Sequence, residues 1–251
     1  MDQDTKLINL ALDAGEIMIR NGAETFRVKD TMRRILGTTC RKNIEATALV
    51  TLLLATLPRE NDRPLSMMRA IHNRSVNFRK VCEVNDMSRA FVEGRIDLDE
   101  AIRRLDKISS EKEYALWAHA LFYGLIAGCF SFLGSHSILD GFVAQIIGTM
   151  LGLLTHWLGT KKMPYFLTPF LCGCFIAFSA KGLHPLFPST HIDTILIGGL
   201  IPLLPGVTFS KAMRDILEGS IISGYTKAVE ALVIAGSLAG GIGLTLSYFL
   251  A

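Results

Sequence analysis

The sequence predicts an α-helical multi-pass membrane protein with five spans, one of them broken, and an N-terminal cytoplasmic α/β domain. Three observations lead there. Half of the 251 residues are hydrophobic and mean hydropathy is +0.36, which is too apolar for an ordinary soluble domain. Charge is segregated: residues 1–115 hold 20 of the 26 Lys and Arg and 18 of the 23 Asp and Glu, so two regions face two solvents. From Leu116 onward five apolar segments follow, at about 116–133, 138–158, 165–183, 192–207 and 228–250. Each is near the roughly 20 residues of a spanning helix except the fourth. The domains are thus 1–112 and 113–251.

In the amino-terminal region, Leu7, Leu10, Ala11, Ala14, Ile17 and Met18 recur at helical spacing over residues 4–20, and Asn21-Gly22 stops that helix. A second helix runs from about Thr25 to Leu36, with Val28, Met32 and Ile35 inward and Gly37 as terminator. Ile44–Leu57, rich in Thr, Val and Ala, reads as a strand, with helix as the alternative; Leu65–Ile71 reads as a second, paired across the turn Pro58–Pro64. Val81, Val84, Met87 and Phe91 mark a helix ending at Gly94. Asp97 to Glu100 is a capping box that opens another, with Leu98, Ala101, Ile102, Leu105 and Ile108 on its inner face. About 110 residues suffice to bury a core, and Ser109–Tyr114 serves as the linker.

The opening residues are acidic and amphipathic, so the amino-terminal region is expected to stay in the cytoplasm. Lys161, Lys162, Lys211, Arg214 and Lys227 then fall in inside loops, near 159–164 and 208–227, as the positive-inside bias requires. The loops near 134–137 and 182–191 fall outside, and the carboxyl terminus is expected outside. The protein is thus placed in the cytoplasmic membrane. Gly148, Gly152 and the Gly236–Gly243 cluster offer small faces for close helix packing.

The chain is organised around Leu200–Leu232, where Pro202 and the Pro205-Gly206 pair interrupt an apolar segment. Proline removes a donor from the helical ladder and leaves backbone groups without partners. At membrane depth such a break survives only against protein or a water-filled cavity, and transporters aim such half-helix ends at charged substrates. A single broken span among five looks like one half of a two-half transporter.

Other classes are disfavoured. A net charge of +3, with no basic run interleaved with aromatics, argues against nucleic acid. Cys40, Cys82, Cys129, Cys172 and Cys174 are scattered without metal-type spacing and read as small core residues. No nucleophile–base pair, phosphate loop or metal cluster stands out, so no enzyme activity and no cofactor are expected. A membrane-anchored ligand sensor or hydrolase is the alternative from another class, but an anchor needs no Pro-Gly break.

Gly22, Glu24, Thr25 and Arg27 in the run Asn21 to Val28, Asn73-Arg74 with Asn77, and Pro205-Gly206 followed by Ala212, Asp215, Gly219 and Gly224 together resemble the threonine/serine exporter family over nearly the whole chain. In particular, the chain is similar to the five-helix, domain-bearing subunit of that family's split branch. The resemblance implies a second, smaller membrane subunit, a higher oligomer as an option, and export of small carboxylates. Succinate is the first expectation and threonine or serine the alternative.

For the charged residues, two readings stand side by side. Arg214 and Asp215 form an adjacent pair on a solvated helix, or they serve substrate and proton just past the break. Glu230, near the start of the last span, is interfacial or carries protons. Asp140 and Asp193 open spans and read as caps, Lys181 as a snorkelling cation, and His119 and His156 as neutral core histidines. Glu24, Thr25, Arg27 and Asp30 open a helix, where capping and charge pairing are the simplest roles.

Overall fold

The computed structural model describes residues 2–59, 63–72, 75–111, 115–161 and 163–250. Asn73-Arg74, Lys162, Ala251, the tip of the 58–64 turn and linker residues 112–114 lie outside them. The chain forms two compact units: Met1–Lys112 with Ser210–Ala228, and Glu113–Phe209 with Val229–Ala251. The stretch 210–228, expected with the membrane part, therefore belongs to unit one.

Unit one contains α1 (Gln3–Arg20), α2 (Thr25–Gly37), β1 (Glu45–Ala48), β2 (Leu52–Leu57), β3 (Leu65–Ala70), α3 (Phe78–Val92) and α4 (Leu98–Ser110). The strands form an antiparallel sheet in the order β1-β2-β3. The single strand expected at 44–57 is in fact a hairpin, because the chain reverses at Val50-Thr51 and Leu49 and Leu52 exchange backbone hydrogen bonds. No Gly or Asn marks that reversal. Folding back lets Ala46 and Ala48 of β1 and Leu53, Ala55 and Leu57 of β2 bury the same face, against a core that includes Ile8, Leu12, Met32 and Leu36.

The helix stops have a clear cause. At the end of α1, Gly22 N–H bonds Ile19 C=O and Ala23 N–H bonds Met18 C=O. This Schellman closure requires the left-handed φ of +90° at Gly22. Asp97 caps α4 by accepting from Glu100 N–H at 2.7 Å.

Unit two holds α5 (Leu116–Ser135), α6 (Ile138–Gly159), α7 (Leu167–Leu183), α8 (Ile192–Leu200) and a 3-10 turn at Ile201–Leu203. Two further helices, α9 (Gly206–Leu217) and α10 (Ile221–Leu250), are shared between the units. Against five predicted spans, three helices among the described residues are long and apolar enough to cross a membrane, or four if the broken pair Ile192–Leu203 and Gly206–Leu217 counts as one. α7 is apolar but has only 17 residues. The expected 208–227 loop is also corrected: Ser220 alone separates the turn after α9 from α10, which starts seven residues before the expected 228. Of the cysteines read as core, Cys172 is buried and Cys129 exposed.

Glycines set the closeness of unit two. A Cβ on Gly148 would stand 2.6 Å from Ala127 Cβ and 2.8 Å from Tyr123 C=O, and one on Gly152 would stand 2.7 Å from Ala120 Cα. Phe122, Leu133, Phe142 and Phe178 face outward, as a lipid solvent permits.

Candidate functional site

The family-type residues of unit one converge on the amino terminus of α2. A helix start leaves backbone N–H groups without partners and carries a partial positive charge. Glu24, in the N-cap position, makes no capping bond with its side chain. Asp215 supplies the acceptor instead: Thr25 N–H donates to its Oδ1 at 3.2 Å, and Lys227 Nζ donates to its Oδ2 at 2.6 Å. Asp215 is fully buried and the Lys227 side chain is 9% exposed, so this is a buried charge pair that also caps a helix.

The reading of Asp215 as a solvated partner of its neighbour Arg214 is therefore corrected. Arg214 reaches Glu24 instead, with Nη1 2.7 Å from Oε1, while Arg27 Nε lies 3.2 Å from Glu24 Oε2. Glu24 carries two guanidinium groups, and the pairing of Glu24 with Arg27 along α2 follows the expected helical spacing. Lys211 Nζ lies over the Phe78 ring, 4.5 Å from its centroid.

The glycines of the 205–224 run have a geometric role. After α9, Gly219 N–H bonds Ile216 C=O and Ser220 N–H bonds Asp215 C=O, a second Schellman closure with φ +81° at Gly219. A Cβ on Gly224 would meet Ile216 Cγ1 at 2.5 Å and Ala212 C=O at 2.8 Å. Ala212, Gly219 and Gly224 thus build a tight α9–α10 hairpin that brings Lys227 onto Asp215. Thr25 Oγ1 and Ser223 Oγ are buried without a partner among the described residues.

Pro205, Gly206 and Glu230 belong to unit two. Leu204 is extended, and the first bond of α9 runs from Phe209 N–H to Pro205 C=O at 2.9 Å. The N–H groups of Gly206, Val207 and Thr208 therefore precede the ladder. Gly206 is exposed, and an added Cβ there would meet nothing within 4 Å. Glu230 is half-buried and is the tenth residue of α10, not near its start.

Sequence reasoning missed Lys227 as Asp215's partner, and it missed a second buried carboxylate. Asp140 caps nothing on its own helix, where Ser137 is the N-cap; it accepts instead from His191, fifty-one residues on. His119 Nε2 lies 3.3 Å from Thr155 Oγ1, and its ring stacks on Tyr123 at 4.6 Å. Among the described residues no group of three or more His, Cys, Asp or Glu is placed to hold a metal.

Comparison with known proteins bears directly on this geometry. The threonine/serine exporter (ThrE) family model matches residues 9–249. The "Threonine/serine exporter" of Corynebacterium glutamicum is 21% identical over 245 residues, which cover 95% of this chain and 50% of that protein. The "Probable threonine/serine exporter" of Mycobacterium tuberculosis is 24% identical over 251 residues, 96% of this chain and 46% of that one. "Pheromone-regulated membrane protein 10" of Pichia sorbitophila is 24% identical over 181 residues, 69% of this chain and 18% of that protein. The chain spans about half the length of the two bacterial relatives. No solved structure matches it.

Proposed function

Because the chain belongs to the threonine/serine exporter family, a family of membrane exporters, we propose that it forms half of an exporter for small carboxylate-bearing metabolites, threonine and serine first. The family match over residues 9–249 carries this reading. The names of the bacterial relatives put the amino acids ahead of succinate. Succinate is the second reading, supported by the resemblance to the two-subunit branch.

The other half of the path is proposed to come from a second membrane segment, since the chain covers half of its relatives' length and its described residues hold three or four candidate spans. In unit two, the amide groups at the Pro205-Gly206 break are proposed to meet the substrate carboxylate, and Glu230 to move a proton. In unit one, Gly22, Glu24, Thr25, Arg27, Arg214, Asp215, Gly219 and Gly224 are proposed to hold a cytoplasmic control element together. The bilayer is proposed to be the cytoplasmic membrane, with the amino terminus inside; the carboxyl terminus is outside when α7 and the α8–α9 pair both cross, making five spans.

The test is efflux from vesicles containing the chain with its complementary half, preloaded with labelled threonine, serine or succinate. Outward release of threonine and serine above protein-free vesicles is expected. Release of succinate alone would move the assignment to the second reading, and release of none would overturn the exporter reading.

A further inference from the structure

Unit two contains a polar cluster that the proposed path does not use. Asp140, in the first turn of α6, is fully buried. Its Oδ1 accepts from His191 N–H at 3.0 Å, and its Oδ2 lies 2.9 Å from His191 Nδ1. Thr194 Oγ1 is 3.4 Å from Oδ2 but gives its hydrogen to His191 C=O at 2.8 Å. His191 is the N-cap residue of α8, so one carboxylate on α6 holds the amino terminus of the half-helix that leads to the break.

A carboxylate only accepts hydrogen bonds. The ring hydrogen of neutral His191 is therefore on Nδ1, and Nε2 keeps its lone pair. The His191 side chain is 67% exposed, while its Nδ1 touches a buried acceptor. An imidazole oriented through one ring nitrogen by a buried carboxylate, on a side chain that is otherwise exposed, is equipped to bind a proton at the other.

We propose that Asp140 and His191 form a proton-binding site of unit two. A proton from water bonds to the Nε2 lone pair, Nδ1–H stays on Asp140, and a neutral imidazole beside a carboxylate becomes an imidazolium–carboxylate pair. The charged pair clamps the start of α8 more firmly than the neutral one, because a hydrogen bond between two ions is the stronger kind. Among the described residues His191 is the titratable side chain in contact with Asp140. The other titratable groups at this end include Lys181 in the last turn of α7, His136 after α5, His184, whose Nδ1 is 3.4 Å from Thr190 Oγ1, and Asp193 on α8. The exporter reading bears only on what the proton is used for.

The test is nitrogen NMR of the full chain in detergent, labelled at histidine, with the His191 signals assigned by their loss in His191→Asn. Asparagine suits the N-cap position and keeps an amide donor toward Asp140 but binds no proton. The expected result is the Nδ1–H tautomer at about pH 8 and uptake of a proton on Nε2 on lowering to about pH 5, with Nδ1–H retained throughout. Asp140→Asn should abolish the tautomer preference; if that variant fails to fold, the wild-type spectrum alone still decides. An Nε2–H tautomer, or a ring that takes up no proton over that range, would overturn the proposal. Vesicles that release neither amino acid nor succinate would overturn the exporter reading and leave this result standing.

Discussion

In unit one α1 and the sheet meet over Ile8, Leu10, Leu12, Met18, Leu53 and Leu57, all buried, and carboxylates and guanidinium groups close the rim. In unit two α5 and α6 meet over Gly124, Gly128, Gly148 and Gly152, where backbones nearly touch and the large side chains point away. The contrast follows from the solvent. In water, burying large apolar side chains drives assembly. In lipid the tails are as apolar as leucine, so helices gain by close backbone approach instead. The two polar closures obey the same division. Unit one uses a buried Asp–Lys pair, whereas unit two uses a buried Asp against an exposed His.

The largest expected effect breaks unit one at its charges. Asp215→Asn leaves Lys227 without a counter-ion, and removing one member of a buried pair costs about 3–5 kcal/mol. Lys227→Met added to Asp215→Leu should recover much of that, because a matched apolar pair avoids the stranded charge. Denaturant unfolding of the purified chain in detergent reads both; a fully stable Asp215→Asn would show that the pair is not what holds α2 to the α9–α10 hairpin. This replaces the reading of Asp215 as one of an adjacent pair on a solvated helix.

A smaller effect tests unit two at its glycines. Gly148→Ala places a methyl group against Ala127 Cβ and Tyr123 C=O, and overpacking of this kind costs roughly 1–3 kcal/mol. The same change at Gly159, where an added Cβ meets nothing within 4 Å, is the control. If the two variants melt at the same temperature, close backbone approach is not what holds α5 to α6.

The smallest effect is expected at the break. Gly206→Ala meets no neighbour within 4 Å, and alanine favours helix by up to about 1 kcal/mol over glycine. Thermal stability should be unchanged or slightly higher. A marked loss would mean that Gly206 has a conformational role its open surroundings do not explain.

Much of unit one was legible because its apolar residues recur at clean helical or alternating spacing. The stops at Gly22 and Gly94 and the cap at Asp97 follow from local chemistry alone. The break at Pro205-Gly206 was legible for the same reason, since proline acts on its own neighbours. What escaped was contact at long range. Nothing near Asp215 in sequence announces Thr25, and nothing in the charged run announces that Arg214 turns to Glu24 and Lys227 to Asp215 rather than to solvent. The α1–α2 reading survived because those helices are neighbours in sequence; the Asp140–His191 contact was invisible because its partners lie on different helices.

The bond from Thr25 to Asp215 joins residues 190 apart, and this sets an order of events during synthesis. Chains grow at about 5–20 residues per second, so roughly 10–40 s separate the emergence of α2 from that of its cap. During that interval α5 to α8 are made, while the amino-terminal segment waits with an open helix end and without the α9–α10 hairpin. Unit one is therefore finished only after most of unit two has left the ribosome. A truncated product ending before Asp215 would leave the first N–H of α2 without this acceptor.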